Sequence, residues 1–306
     1  SFNLTNVGGL TIDGISGDDT LAVQGTAAAD TFTVSDAAVT HGSLQGVNAI
    51  ANVDALAVSG AEAADTFDVT PGTLSIFIDG NDPIGSTPGD TLNINSGGAA
   101  VTSNAGPEND EGSFDVAGSE TVSYDHIESL GVSGSGAGSV TVGATNGDDD
   151  ITVIGTGVDD FTVSVNDSPA IQYTDFTSLT IDALSGDDDI DVDVNILAIT
   201  TLEVNGDMPM ASGGDLLSVS GTSANFSPTS DDAGSIVVDA QTITIATTEQ
   251  VFFDGETGDG TVTLTSPAGA DTISYAPGAT IDAGSLQTDS LLPLSFENLG
   301  SSGAVS

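Results

Sequence analysis

The residues best placed to do chemistry are aspartates that stand two positions after a glycine and two before an apolar residue. This Gly-x-Asp-x-apolar pattern occurs at Gly17/Asp19/Leu21, Gly147/Asp149/Ile151, Gly157/Asp159/Phe161, Gly186/Asp188/Ile190, Gly213/Asp215/Leu217 and Gly269/Asp271/Ile273. Asp30 and Asp65 head alanine variants, AADTFTV and AADTFDV, and Asp90 opens a further Asp-Thr-apolar corner. Each places a carboxylate in a turn just before a residue expected in the core. Carboxylates and turn carbonyls together suit a hard cation, and calcium, which accepts roughly six to eight oxygens in flexible geometry, fits best. Asp and Gly are also favoured in turns for their backbone geometry alone, so the repetition of the pattern, rather than any one corner, points to metal.

A second acidic feature is SGDDDIDVDV, residues 185–194. In an extended strand Ile190, Val192 and Val194 share one face, and Asp189, Asp191 and Asp193 share the other. Carboxylates on adjacent strands about 5 Å apart repel by roughly 0.8 kcal/mol per pair even in a water-like dielectric. Nothing basic is present to offset this. Lysine and arginine are absent from all 306 residues, against 46 Asp plus Glu, for a formal charge of −46. No salt bridge is expected, and solvent cations are the available counter-charge.

Such one-signed charge with 5% aromatic residues would ordinarily mean disorder. Here 38% of residues are hydrophobic and mean hydropathy is +0.14. Apolar residues also alternate with polar ones in DTFTVSD, LTIDG, TVTLTS and QTITIAT. Period two, rich in Val, Ile, Thr and Phe and bounded by Gly, Asp, Asn and Ser, predicts strands. Helical periodicity is nearly absent, so the chain reads as all-β. No apolar run of about 18 residues predicts a membrane span. The absence of cysteine excludes disulfides, and the absence of lysine excludes a Lys–Asn isopeptide bond.

The strands belong to a repeat. Residues 4–23, LTNVGGLTIDGISGDDTLAV, and 173–192, YTDFTSLTIDALSGDDDIDV, share one frame, and weaker versions begin near residues 50, 124, 247 and 294. Their anchors Val7, Val53, Ile127, Phe176, Val251 and Phe296 lie alternately a short and a long step apart. The implied repeat is about 120 residues, which aligns Val34 with Val153 and Tyr275, Phe114 with Ile236, and Ile94 with Val219. Copy 1 covers 1–122, copy 2 covers 123–245 and an incomplete copy 3 covers 246–306. A parallel β-solenoid built from these imperfect repeats accommodates a partial copy, since it can stop after any coil. Tandem Ig-like β-sandwich domains of roughly 100 residues are the alternative.

The acidic corners resemble the RTX-type calcium-binding repeats of secreted bacterial proteins, which form a parallel β-roll with Ca²⁺ in the turns. The resemblance covers the GxDxU half of that nonapeptide. It implies the turn aspartates as ligands: Asp19, Asp149, Asp159, Asp188, Asp215 and Asp271, with Asp30, Asp65 and Asp90 as variants. The GTxxxDxFTV and SLTIDxxxGDD segments are also similar in style to long repetitive surface proteins of environmental bacteria.

Other chemistry is poorly served. His41 and His126 are distant in sequence and are expected to be exposed or loosely packed. No Ser-His-Asp, Cys-His or P-loop arrangement can be assembled, so the chain is not expected to be an enzyme. Paired carboxylates can hydrolyse glycosides, which keeps a polysaccharide-cleaving β-helix enzyme as an alternative. The charge would repel nucleic acid and anionic lipid. Sequons at Asn3, Asn166 and Asn225 are expected on turns or exposed strands.

Neither end of the sequence reads as a polar cap, and any secretion signal is expected to have been removed or to lie outside it. Together these features predict an extracellular or cell-surface structural protein. Copies would join head to tail as a filament, sheath or surface layer, with calcium on the acidic turns and a cell-surface polysaccharide as a further possible partner. An excerpt of a giant cell-surface adhesin and a halophile surface protein are the other readings.

Overall fold

The computed structural model describes residues 9–42, 44–85, 88–208, 214–256, 260–300 and 303–306. Val7, Asn3 and Gly213 of the sequence reading lie outside them. The described residues are all-β, with no helix and hence no helix long and apolar enough to cross a membrane. Two compact units are present, one formed by residues 1–138 and 167–175, the other by 139–166 and 176–306.

In the first unit the chain passes repeatedly between two sheets, and each return adds a strand beside the last. One sheet stacks Thr31–Ser35, Thr66–Val69, Thr91–Asn95, Ser129–Ser133 and Ile171–Thr174 in parallel, with Ala38–His41 and Leu44–Val47 folded back antiparallel at its edge. The other runs Thr20–Gln24, Ala55–Ala61, Ser75–Asn81 and Val122–Asp125 in parallel, followed by antiparallel Gly112–Val116 and Val101–Ala105. Thr11–Asp13 and Ala49–Ala51 form a short parallel pair.

The second unit is built in the same way. Asp150–Gly155, Asp189–Asp193, Leu216–Ser220, Gln250–Asp254 and Leu294–Glu297 are successive parallel neighbours. Phe161–Val165 runs antiparallel at one side and Gly284–Thr288 with Ile273–Pro277 at the other. Its second sheet carries Ser139–Gly143, Ser178–Asp182, Thr201–Asn205 and Gln241–Ala246 in parallel. Gly234–Val238 and Ser223–Pro228 then turn back antiparallel, and Thr261–Leu264 and Ala304–Val305 extend from them.

Period-two alternation explains the core, because in-register parallel pairing places each strand's apolar residues above the same positions of its neighbour. Phe32, Phe67, Leu92 and Leu130 form one such column, and Val34, Val69, Ile94 and Val132 the next. All are buried, and the Phe32 and Phe67 rings stack with centroids 5.2 Å apart. In the second unit Ile151, Ile190, Leu217, Val251 and Leu294 do the same. The anchors Val53, Ile127, Phe176, Val251 and Phe296 are buried, as are the aligned pairs Val34 with Val153, Phe114 with Ile236 and Ile94 with Val219. Tyr275 departs from its alignment and is 54% exposed.

Candidate metal-binding turns

The turns that lead into the first sheet of each unit bring six of the nine expected aspartates into two columns. Asp30, Asp65 and Asp90 each stand one residue before a strand of the parallel stack, so in-register pairing places them side by side. The backbone N–H of Asp30 donates to Oδ1 of Asp65 at 2.6 Å, and that of Asp65 to Oδ1 of Asp90 at 2.6 Å. The Asp90 N–H donates to Oε2 of Glu128 at 2.7 Å. The second unit repeats this chain of bonds: Asp149 to Asp188 at 2.8 Å, Asp188 to Asp215 at 2.9 Å, and Asp215 to Glu249 at 2.8 Å. Members of the second ladder follow their counterparts by about 120 residues, the repeat length read from the sequence.

In Asp65, Asp90, Asp188, Asp215 and Glu249 one carboxylate oxygen is thereby used and the other is not, whereas the second oxygen of Glu128 accepts the Gly85 N–H at 2.8 Å. Asp65, Asp90, Asp188 and Asp215 are 0–1% exposed, and no described residue donates to their Oδ2 atoms or to Oε1 of Glu249. An enclosed carboxylate oxygen without a donor is costly when ionised. Burial accordingly pushes Asp65 and Asp90 up to about 6 and Asp188 up to about 7, against the N–H bonds that favour the charged form. Asp215 and Glu249 are raised for the same reason, burial. At the head of the first ladder, burial also opposes ionisation of Asp30. The Thr26 N–H at 2.6 Å and nearby His41 outweigh it and hold that carboxyl below its usual range.

Glycines make room for these oxygens. A Cβ at Gly60 would overlap Oδ2 of Asp65, and one at Gly206 would overlap both Oδ2 of Asp215 and the Thr247 carbonyl. At Gly80 the position is contested by Oδ2 of Asp90 and the His126 carbonyl. Unpartnered carboxylate oxygens and main-chain carbonyls therefore lie close together at these glycines, and acidic groups so placed could hold a metal ion.

The remaining expected ligands lie elsewhere. Asp19 donates its N–H to Oδ2 of Asp54 at 2.8 Å, a single-step version of the ladder, and its own Oδ2 is enclosed without a donor. Asp159 sits in the hairpin between Asp150–Gly155 and the antiparallel Phe161–Val165 and joins neither ladder. Asp271 precedes Ile273–Pro277, whose pairing is antiparallel, and likewise joins neither. Glu128 and Glu249, which close both ladders, do not follow the glycine pattern; their signal is an acid directly before a strand, in HIESL and TEQVF.

The strand-face aspartates are arranged as expected on their own strand. Ile190, Val192 and Val194 are buried, while Asp189 and Asp191 are exposed and Asp193 half-buried. Neighbouring strands do not extend the acidic face. Asp189 meets Asp150, but Asp191 lies between Thr152 and Ser218, and Asp193 between Ile154 and Ser220. The repulsion expected there is diluted by hydroxyl and apolar neighbours.

Both histidines correct the sequence reading. His41 is 8% exposed, packs edge-on against Phe32 at 4.8 Å, and holds Nε2 2.9 Å from Oδ1 of Asp30, off hydrogen-bonding geometry. His126 is half-buried with Nδ1 3.0 Å from Oδ1 of Asp79. When protonated, each forms the ion pair that the lack of lysine and arginine had argued against. The sequon Asn166 is also engaged: its amide donates to Oδ1 of Asp149 at 2.7 Å and its Oδ1 accepts the Asp150 N–H at 3.0 Å.

Fold and turns together define an acidic, repeat-built all-β protein whose carboxylates stack in register at the starts of its parallel strands. No protein-family model, no curated protein and no solved structure matches the chain.

Proposed function

We propose that this chain is an extracellular structural protein, a parallel β-solenoid whose buried turn carboxylates bind calcium and whose copies join end to end in a filament, sheath or surface layer. The observation that carries the calcium half is the pair of ladders, in which Oδ2 of Asp65, Asp90, Asp188 and Asp215 and Oε1 of Glu249 are enclosed and reached by no described donor. A cation supplies what the chain itself lacks, since it has no lysine or arginine to place there. The in-register parallel stacks support a solenoid over tandem Ig-like sandwiches, whose sheets are antiparallel. End-to-end assembly extends that winding, because a heterologous contact that does not close into a ring yields a filament.

Thermal unfolding and light scattering of the purified chain at low salt test this, first with EDTA and then with millimolar Ca²⁺ or Mg²⁺. Calcium bound only by the folded state at about a hundred times its Kd adds about 2.7 kcal/mol per site. The expected result is a calcium-specific rise in Tm, accompanied by growth in scattering. Equal effects of both ions at matched ionic strength would refute the calcium site. A calcium-saturated chain that stays monomeric at high concentration would refute the assembly.

A further inference from the structure

In the first unit Asp125 ends its strand and stands directly opposite Asp79, in register, on the neighbouring parallel strand Ser75–Asn81. Two carboxylates in that relation repel. His126 follows Asp125 immediately, and its φ of 54° turns the ring back over the pair. Nδ1 then lies 3.0 Å from Oδ1 of Asp79 and 3.6 Å from Oδ1 of Asp125. The three ligand atoms all fall within 4.8 Å of one another.

The second unit shows that the fold does not require this trio. Thr201–Asn205 and Gln241–Ala246 pair in the same register as Ser75–Asn81 and Val122–Asp125, which places Asn205 where Asp79 stands and Ala246 where Asp125 stands. Thr247 takes the place of His126 with nearly the same backbone, φ 51°. The turn forms equally well with a neutral set. The Asp–Asp–His combination is thus an addition at one place, not part of the repeating acidic pattern.

We infer that Asp79, Asp125 and His126 form a binding site for a divalent first-row transition ion of the zinc or copper class, separate from the turn carboxylates. Imidazole nitrogen favours such ions, whereas calcium prefers oxygen alone. Tetrahedral zinc with bonds of about 2.0–2.2 Å sets its ligands about 3.4 Å apart. The separations of 3.0 and 3.6 Å from Nδ1 bracket that spacing. Three protein donors leave one position open to water. The bound ion would tie Ser75–Asn81 to the end of Val122–Asp125 and cancel the repulsion between the facing carboxylates. This inference does not depend on calcium in the ladders.

The test is zinc titration by calorimetry on the intact, EDTA-stripped chain in millimolar Ca²⁺, with Co²⁺ absorption as a second readout. His126→Thr and Asp79→Asn serve as variants because each copies the residue that the second unit carries at the equivalent position, so both should fold. One zinc per chain that persists in calcium, with intense visible Co²⁺ bands, and at least a tenfold loss of affinity in each variant is the expected result. Zinc uptake that calcium abolishes, or equal affinity in parent and variants, would overturn the site. Absence of zinc binding by the folded parent chain would overturn it as well.

Discussion

The backbone N–H of Asp188 donates to Oδ1 of Asp215, 2.9 Å away in the turn before the neighbouring parallel strand, while Oδ2 of Asp215 is enclosed and receives nothing from a described donor. One carboxylate therefore serves two separable purposes, and two substitutions pull them apart. Asp215→Asn keeps an acceptor for the Asp188 N–H and removes the charge at the uncompensated position. Without calcium its Tm should equal or exceed that of the parent, and its response to calcium should shrink. Asp215→Ala strands the buried Asp188 N–H and should cost about 1–3 kcal/mol with or without calcium. Denaturant unfolding of both variants in EDTA and in calcium checks the pattern; equal losses in the two would show that the charge itself stabilises the fold.

The ladders also fix the sign of the pH dependence. Asp65, Asp90 and Asp188 are raised by burial, to about 6, about 6 and about 7, so between about pH 4 and pH 7 the folded chain holds more protons than the unfolded one. Stability should then fall as pH rises through that window. His126, raised by its hydrogen bond to Asp79, contributes in the same direction, losing its stabilisation as pH climbs through its folded pKa. Asp30 and Asp239 are lowered, burial being outweighed by their hydrogen bonds, and their contribution is lost only as pH drops below the ordinary carboxylate range. In EDTA, Tm should decline from mildly acidic to neutral pH. Saturating calcium should flatten that decline by replacing the protons. A Tm that rises steadily from pH 5 to pH 8 in EDTA would contradict the ladder energetics.

Much of this was legible in the sequence, and the failures among the turn acids share one cause. Period-two runs marked strands such as Thr31–Ser35 and Gln241–Ala246, and the repeat aligned Val34 with Val153, both fully buried. Turn aspartates were recognised by what precedes them, a glycine or alanine. What decides their role is the strand that follows. Where that strand enters the parallel stack, as after Asp65 or Asp188, the next residue's register brings another acid alongside. After Asp159 the strand turns back antiparallel, and Asp159 joins neither ladder. The same logic hid Glu128 and Glu249, which lack the glycine but precede parallel strands. Local patterns carry turn propensity; strand direction is a tertiary property that a short motif does not encode.

The glycine cradle yields a steric prediction. At Gly206 an added methyl meets the Asp215 carboxylate and the Thr247 carbonyl, neither of which is the free end of a flexible chain. Gly206→Ala should cost about 1–3 kcal/mol, the range for overpacking an interior. Gly147→Ala is the control, because the only atom near its added methyl is Oγ1 of Thr145 at 3.8 Å. Thermal unfolding of the two variants should separate by several degrees, and similar Tm values would mean that the ladder turn yields freely.

Val153 and Tyr275 occupy aligned positions in the repeat, yet their surroundings differ. Val153 has an antiparallel partner strand on one side and the parallel strand Asp189–Asp193 on the other, and is 0% exposed. Tyr275 has the antiparallel partner Gly284–Thr288, and among the described residues no strand lies parallel beside it. Ile273 on the same strand is 55% exposed. Burial at this position is therefore supplied by the next parallel strand and not by the hairpin. Val153→Ala should cost about 2 kcal/mol by removing enclosed methyl groups. Tyr275→Ser should cost under about 1 kcal/mol, as at a surface site. Equal destabilisation, read by denaturant unfolding, would mean that Tyr275 is covered in solution by something that supplies the missing strand.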